Sequence, residues 1–182
     1  KMIEDYAKLC VEVGLNLQKG EPLVINSPIE GANFVRLVAK HAYKLGAKVV
    51  HVNWNDEVLT KLKYENSPME VFEHFPKWYA QGLEEFAADG AAYLSIYSED
   101  PELLKDVDPK KIAANNKASS LALQKFRNYT MNDINSWCVV SIPTKGWAKR
   151  VFSDLSEDEA VDKLWEAILK ATRMELDDPV KE

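Results

Sequence analysis

The chain has 182 residues, of which 46% are hydrophobic and 29% charged, and its formal net charge is −6 at pH 7. This length suits one well-packed domain, and the composition excludes a disordered chain. Nucleic acid is not expected as a partner, because phosphate binding needs clustered lysines and arginines. A membrane is not expected either, since no apolar run approaches the ~20 residues that a spanning helix needs.

The first residues and the cysteines favour a cytoplasmic protein. Residues 1–6 are charged and amphipathic and do not resemble a signal peptide. The two cysteines, Cys10 and Cys138, are too few for a disulfide framework. Both lie in apolar patterns and are predicted to be buried, reduced thiols.

Apolar periodicity predicts strands that alternate with helices. A helical stripe opens the chain and ends near Gly14. Four short apolar runs then predict strands within residues 23–26, 49–53, 93–97 and 137–142. Helical segments of a dozen or more residues separate these runs. The order favours an α/β fold, with a mainly parallel sheet of about four or more strands and helices on both faces.

Helix starts are marked by two local patterns. A serine followed three residues later by glutamate predicts a capping box at Ser27–Glu30, Ser67–Glu70 and Ser156–Glu159. Pro76 is predicted to interrupt the second of these helices. An aspartate in the N-cap position is predicted at three further sites. These are Asp56, Asp100 and Asp108, the last opening a helix that reaches about Phe126.

Polar residues follow the predicted strands at the edge where open parallel sheets bind ligands. They are Ser27, Glu30, Asn53, Asp56, Glu99, Asp100 and Thr144. Their carboxylates could hold a hard cation. Helix capping explains Glu30, Asp56 and Asp100 separately and is the preferred interpretation. A nucleotide site is disfavoured because Pro28 lacks an N–H and Glu30 would repel phosphate.

No other set of side chains forms a catalytic pattern. The three histidines, His41, His51 and His74, fall on different predicted elements. Glu70 and His74 would share a helix face, yet two ligands leave a zinc site incomplete. The chain lacks the H-E-x-x-H and G-x-S-x-G motifs. The cysteines have no neighbouring histidine or helix N-terminus and are predicted to be inert.

The five tryptophans are predicted mainly to pack in the core. Trp165 lies on the amphipathic pattern of the last helix, and Trp137 begins a strand. Trp54, Trp78 and Trp147 lie near element ends, where core packing is preferred over a role in a pocket or an interface. The residues by themselves therefore predict an α/β domain without a recognisable active site.

Several segments, in fixed order and spacing, carry a resemblance to one family. The first covers residues 27–57, and the second covers residues 75–78 and 84–95. The third includes residues 131–132, 136–140, 146–152 and 160–165. Together they resemble the N-terminal half of the thermophilic-type metallo-aminopeptidases, the group of aminopeptidases T, S and II, from about Tyr6 to Pro179.

This resemblance implies a cytoplasmic homodimer that removes N-terminal residues from peptides. It implies two divalent metal ions (cobalt, zinc or magnesium), held by residues of the family's C-terminal half. No catalytic or metal-binding residue is therefore assigned in this chain, and its substrate-binding residues stay unassigned. We expect residues 1–176 to form the N-terminal domain and residues 177–182 to begin a linker to the metal-binding domain. The fragment by itself is expected to bind no metal and to be inactive.

Two other interpretations remain open. The chain could be a non-catalytic, flavodoxin-like module that binds a small ligand, or a purely structural interaction domain. An aminopeptidase fragment predicts that the coding sequence continues past Glu182 into a segment with several histidines and glutamates. A native protein of 20.7 kDa would favour the alternatives.

Overall fold

A four-stranded, all-parallel sheet forms the centre of the computed structural model, which describes residues 1–98 and 100–179. The strands are β1 (Pro22–Pro28), β2 (Val49–Asn55), β3 (Ala92–Tyr97) and β4 (Trp137–Ser141). Their order across the sheet is β2-β1-β3-β4, and each pair of neighbours is parallel. The predicted α/β fold with a parallel sheet is confirmed.

Eight α-helices lie in the described part of the chain. They are α1 (Met2–Leu9), α2 (Ala32–Lys44), α3 (Glu57–Asn66), α4 (Lys77–Ala88), α5 (Pro109–Ala122), α6 (Gln124–Met131), α7 (Lys145–Val151) and α8 (Glu157–Ala171). A π-helical turn, Cys10–Gly14, extends α1. Among the described helices, none is both long enough and apolar enough to cross a membrane.

Helices cover both faces of the sheet, as predicted. On one face, α1, α2, α7 and α8 enclose the main core, which contains the fully buried Leu23, Ile25 and Leu94. On the other face, α4 and α6 cover a smaller cluster that contains Val24 and Tyr93. Strand β1 is thus buried on both of its faces, as its unbroken apolar sequence requires.

The second face is only partly covered beside β4. Trp137 is 54% exposed and Val139 is 58% exposed, because β4 is an edge strand without a helix over these side chains. The prediction that Trp137 packs in the core was therefore wrong. It was also wrong for Trp54 (48% exposed) and Trp78 (74% exposed). Trp147 and Trp165, by contrast, pack partly buried against the main core.

One of the three predicted capping boxes is present. At the start of α8 the Ser156 hydroxyl accepts a hydrogen bond from the Glu159 N–H, and the Glu159 carboxylate accepts one from the Ser156 N–H. Asp56 and Asp108 cap α3 and α5 as predicted, although α5 ends at Ala122 and α6 follows separately.

The capping boxes predicted at Ser27 and Ser67 were wrong. Ser27 lies in β1, where its hydroxyl donates to the Pro28 carbonyl, because pairing with β2 keeps the chain extended as far as Pro28. A 3₁₀ turn, Ile29–Gly31, then leads into α2. After Ser67 the chain forms only the 3₁₀ turn Met69–Val71, and α4 begins beyond Pro76.

A small third cluster lies apart from the sheet. Tyr64, Phe72 and Val107 are buried together, and the rings of Tyr64 and Phe72 stack with their centres 4.7 Å apart. The Lys111 ammonium donates to the carbonyls of Tyr64 and Ser67, at 2.7 Å each, and lies 5.5 Å from the centre of the Phe72 ring. One lysine of α5 thus holds the carboxyl end of α3.

The role of Trp165 in docking α8 gives a stability test. Its ring lies 6.1 Å from that of Phe34, and α8 packs on α7 and α1 within this domain. Trp165→Ala should lower the free energy of unfolding by about 3 kcal/mol, measured by urea denaturation. Trp78→Ala, at an exposed position, should cost less than about 1 kcal/mol. If Trp165→Ala cost as little as Trp78→Ala, the docking of α8 would not depend on this contact.

Candidate functional site at the carboxyl edge of the sheet

A crevice of about 310 Å³ opens at the carboxyl edge of the sheet. Its walls come from the ends of β1, β2 and β3, the first turn of α3 and one aromatic residue of α4. The lining residues are Asn26, Ser27, Pro28, Asn53, Trp54, Asn55, Glu57, Tyr79, Ile96 and Ser98. The sequence places polar residues at this edge, because the carboxyl ends of parallel strands lie together, although helix capping was preferred to a ligand site there.

Asparagine side chains at the ends of β1 and β2 are held by a chain of hydrogen bonds. The Asn53 amide donates to Asn26 Oδ1 at 3.1 Å, while Asn53 Oδ1 lies 3.0 Å from His51 Nε2. The Thr60 hydroxyl lies 3.2 Å from Asn55 Oδ1 and 2.9 Å from the Asp56 carbonyl, and its one proton is shared between these acceptors. The amide NH₂ groups of Asn26 and Asn55 have no hydrogen-bond partner among residues 1–98 and 100–179. The crevice thus presents amide groups from the ends of β1 and β2.

Glu57 brings a carboxylate to the wall of the crevice. It is the first residue of α3, directly after the Asp56 cap, whose carboxylate accepts from the N–H groups of Val58 and Leu59. One oxygen of Glu57 accepts from the Asp100 N–H at 2.8 Å. The bond ties α3 to the segment after β3, and the second oxygen has no partner within the described ranges.

Glu30, which follows β1 beside the crevice, has neighbouring carboxylates that affect its pKa. Burial, followed by the charges of Glu57 and Asp56, raises the pKa of the Glu30 carboxyl above its ordinary value, and Lys145 partly opposes the shift. Lys145 itself pairs with Glu157 at 3.3 Å. Three carboxylates are therefore close enough to interact at this edge.

Ser98 follows β3 and is 4% exposed. Its carbonyl accepts a hydrogen bond from the Thr144 hydroxyl, at 3.1 Å, but its own buried hydroxyl has no partner among the described residues. Thr144 also caps α7 by accepting from the Trp147 N–H. A buried, unpaired hydroxyl costs free energy, so it is a place where a ligand can gain affinity.

The other predicted strand-end carboxylates do not join this set. Asp100 accepts from the Glu102 N–H and pairs with Arg150 at 2.9 Å, and these two interactions, in that order, lower the pKa of Asp100. It begins turns rather than the predicted helix. Glu99 lies outside the described residues. Among residues 1–98 and 100–179, no group of three or more His, Cys, Asp or Glu side chains is arranged to hold a metal ion.

The histidines do not lie together. His51 stacks on Phe86 with ring centres 5.1 Å apart, while His41 lies on α2 with a buried Nε2 that is 3.8 Å from Glu4. Glu70 belongs to a 3₁₀ turn that ends at Val71, so the prediction that it shares a helix face with His74 was wrong.

The surroundings of both thiols favour the protonated form. Burial, together with the neighbouring Cys138, raises the pKa of Cys10 to about 12. Burial also raises the pKa of Cys138, which is half-buried rather than buried as predicted. Neither thiol is activated as a nucleophile.

Sequence reasoning missed several of the lining residues, among them Asn26, Asn55, Glu57, Tyr79 and Ser98. Glu57 directly follows the predicted Asp56 cap, and Ser98 directly follows the third predicted strand, so their positions carried a signal. Tyr79 reaches the crevice only because α4 packs beside β2. Nothing in the local sequence of α4 indicates that contact.

Comparison with known proteins gives matches along nearly the whole chain. The family profile described as thermophilic metalloprotease (M29) matches residues 1–182. The chain is 49% identical to "Aminopeptidase 2" of Geobacillus stearothermophilus over 180 residues, which are 99% of this chain and 44% of that protein. It is 50% identical to "Aminopeptidase AmpS" of Bacillus subtilis over 179 residues, again 44% of the relative.

A solved structure gives the same match in three dimensions. The structure titled wild-type AmpT from Thermus thermophilus superposes with a TM-score of 0.88 at 36% identity, over 94% of this chain and 43% of the other. The chain spans less than half the length of these relatives.

The burial of Glu30 and its carboxylate neighbours can be tested through the pH dependence of stability. Its raised pKa means that folding favours the protonated form, so its contribution to stability is present below the ordinary carboxyl pKa and is lost as pH rises. Glu30→Gln should therefore raise the melting temperature by about 2 °C at pH 7 and have no effect near pH 3. Glu65→Gln, at a surface pair in α3, is the control and should show no such gain. A loss of stability at pH 7 would contradict the raised pKa of Glu30.

Proposed function

The chain belongs to the thermophilic metalloprotease family M29, and from this membership we propose that it is the N-terminal domain of a metal-dependent aminopeptidase. Such an enzyme removes N-terminal residues from peptides. The observation that carries the proposal is the near-complete coverage of this chain by relatives named as aminopeptidases, at up to 50% identity. The structural match to AmpT over 94% of the chain agrees with it.

We further propose that residues 1–176 form this domain and that residues 177–182 lead towards a C-terminal domain. The last helix ends at Ala171, and Met174, 3% exposed, still packs in the main core. Residues 180–182 lie outside the described residues. The relatives extend well beyond the matched length, which leaves room for a second domain.

The family description implies metal ions, but the described residues of this chain do not fit them. Asp56 caps a helix, Glu57 accepts from a backbone N–H, and Glu30 is partly desolvated. Within residues 1–98 and 100–179, no group of side chains has the ligand number that a metal needs. We propose that two divalent ions (cobalt, zinc or magnesium) are held by residues of the C-terminal domain. There they would polarise the scissile carbonyl and activate water.

This domain then contributes a structural scaffold and polar side chains to the enzyme. Its parallel sheet fixes the crevice, where Asn26, Asn55 and Glu57 offer donors and an acceptor to a peptide substrate. We place the enzyme in the cytoplasm, which the two free cysteines support. We also propose a homodimer, supported by the exposed apolar side chains of Trp78, Trp137 and Val139.

A non-catalytic ligand-binding module is the second candidate, and the crevice favours it. Ligands of open parallel sheets bind at this edge, and the crevice requires no metal. The two candidates differ in what the longer polypeptide should do.

The test compares this chain with the same polypeptide extended to its natural C-terminus. The longer protein should bind zinc or cobalt in calorimetry and hydrolyse leucine p-nitroanilide, with activity lost on chelation. The chain of residues 1–182 should do neither. If the longer protein hydrolyses no aminoacyl substrate with either metal, the aminopeptidase proposal fails and the ligand-binding module takes its place.

Comparable metal-dependent turnover by the short chain would show a site within these residues. Glu30, Asp56 and Asp100 would then be changed first, because all three follow strands at the same edge.

A further inference from the structure

We propose that the outer edge of β4 pairs with the same edge of a second copy of this chain, in antiparallel orientation. Two four-stranded sheets then join into one sheet of eight strands. The proposal gives a location to the homodimer proposed above and rests on that part of the proposed function. It requires neither metal nor hydrolysis, because every group that it uses belongs to β4 and its surroundings.

The register of β4 against β3 shows which of its backbone groups point outwards. The Tyr93 N–H donates to the Ser136 carbonyl at 2.9 Å, and Tyr93 lies opposite Trp137. Backbone groups of successive residues alternate between the two sides of a strand, so every second residue of β4 directs its N–H and C=O away from β3. The outward residues are Trp137, Val139 and Ser141.

These outward groups are almost all unpaired. In the described part of the chain, the Ser141 carbonyl accepts from the Tyr6 hydroxyl at 3.4 Å, and no other hydrogen bond reaches them. Natural proteins normally block edge strands with charges, prolines or bulges. Residues 134–144 contain no charged side chain, and β4 itself contains no proline or glycine. This edge is therefore open to pairing with another strand.

The side chains beside this edge are apolar and exposed. Trp137 and Val139 lie on the face of β4 that no described helix covers, and more than half of each is exposed. Met131, which lines a cavity together with Trp137, is exposed as well, as is Ile134 just before the strand. A contiguous apolar surface of this kind is typical of a protein interface.

The other edge of the sheet, at β2, is less suited to pairing. The Val50 N–H already donates to the Tyr43 hydroxyl at 3.1 Å. The sheet register places His51 and Asn53 on the same face as Trp137, and both of these side chains are polar. The apolar surface is thus a particular property of the β4 edge.

The symmetry of the β4 edge selects a second copy as the occupant. With a two-fold axis at Val139, this residue lies opposite the partner's Val139, and Trp137 lies opposite the partner's Ser141. Residues in such opposite positions exchange two hydrogen bonds, so the outward donors meet outward acceptors. The apolar side chains of both copies meet on one face. The two Asp133 carboxylates, each accepting from a Trp137 indole at 3.3 Å, lie at opposite ends of the pairing.

Sedimentation equilibrium of residues 1–182 tests this pairing. The unmodified chain should dimerise at about 100 µM or below, as expected for a small interface. Val139→Glu places two like charges opposite each other at the axis and should weaken the dimer at least about tenfold. Val58→Glu makes the same change at an exposed position of α3 and should leave the dissociation constant unchanged. Circular dichroism checks that each variant is folded.

A charge exchange at the axis separates self-pairing from any other partner or surface. Val139→Lys should weaken the dimer as Val139→Glu does, because it also places like charges together. An equimolar mixture of these two variants should form a heterodimer, with an affinity at least about tenfold higher than that of either variant alone. A mixture of Val58→Glu and Val58→Lys is the matched control and should associate no more tightly than the unmodified chain.

Three results would overturn the proposal. The first is a chain that stays monomeric at about 1 mM, where even weak interfaces associate. The second is a dimer that Val139→Glu leaves intact, which would place the interface elsewhere. The third is a mixture of the two Val139 variants that does not associate. None of these results depends on hydrolysis. If the extended protein hydrolyses no aminoacyl substrate, the aminopeptidase proposal fails and the strand pairing stands.

Discussion

The central strand β1 must bury apolar side chains on both of its faces. Leu23, Val24 and Ile25 alternate between the faces, and all are fully buried. If one face of the sheet were open to water, some of these apolar side chains would be exposed. Helices therefore have to cover both faces. With β2 and β3 both parallel to β1, the chain crosses over after each strand, and every strand points the same way.

That parallel arrangement also creates the crevice. The ends of β1, β2 and β3 meet at one edge, where strand pairing stops and polar side chains line the surface. The asparagines there are ordered by hydrogen bonds to each other and to neighbouring residues, and the first turn of α3 adds Glu57. The polar chemistry of the domain is thus a consequence of its apolar strand pattern.

The sequence predicted the strands well because buried parallel strands have a distinct apolar composition. It failed at Ser27 and Ser67, where the local pattern is that of a helix start. At Ser27 the pairing with β2 overrides this pattern, and no residue near Ser27 reveals that pairing. Trp137 was misplaced for a similar reason, since its exposure depends on which helices cover an edge strand.

The candidate site was predictable in position but not in composition. Polar residues after apolar runs marked the edge, and Asp56 was assigned its correct role as a cap. Tyr79 enters through the packing of α4, which a linear pattern does not encode. The Ser98 hydroxyl is distinctive only because its surroundings bury it without a partner, and this is a property of the folded chain.

The small cluster of Tyr64, Phe72 and Val107 has a consequence for how the molecule opens. It is separate from the sheet core, and the Lys111 ammonium joins it to the end of α3 through two carbonyls. Few apolar contacts support this corner, so in native-state hydrogen exchange it should open as a unit of its own, before the sheet. Proteases acting on the folded protein should therefore cut first around residues 67–76, while β1 and its neighbours stay protected.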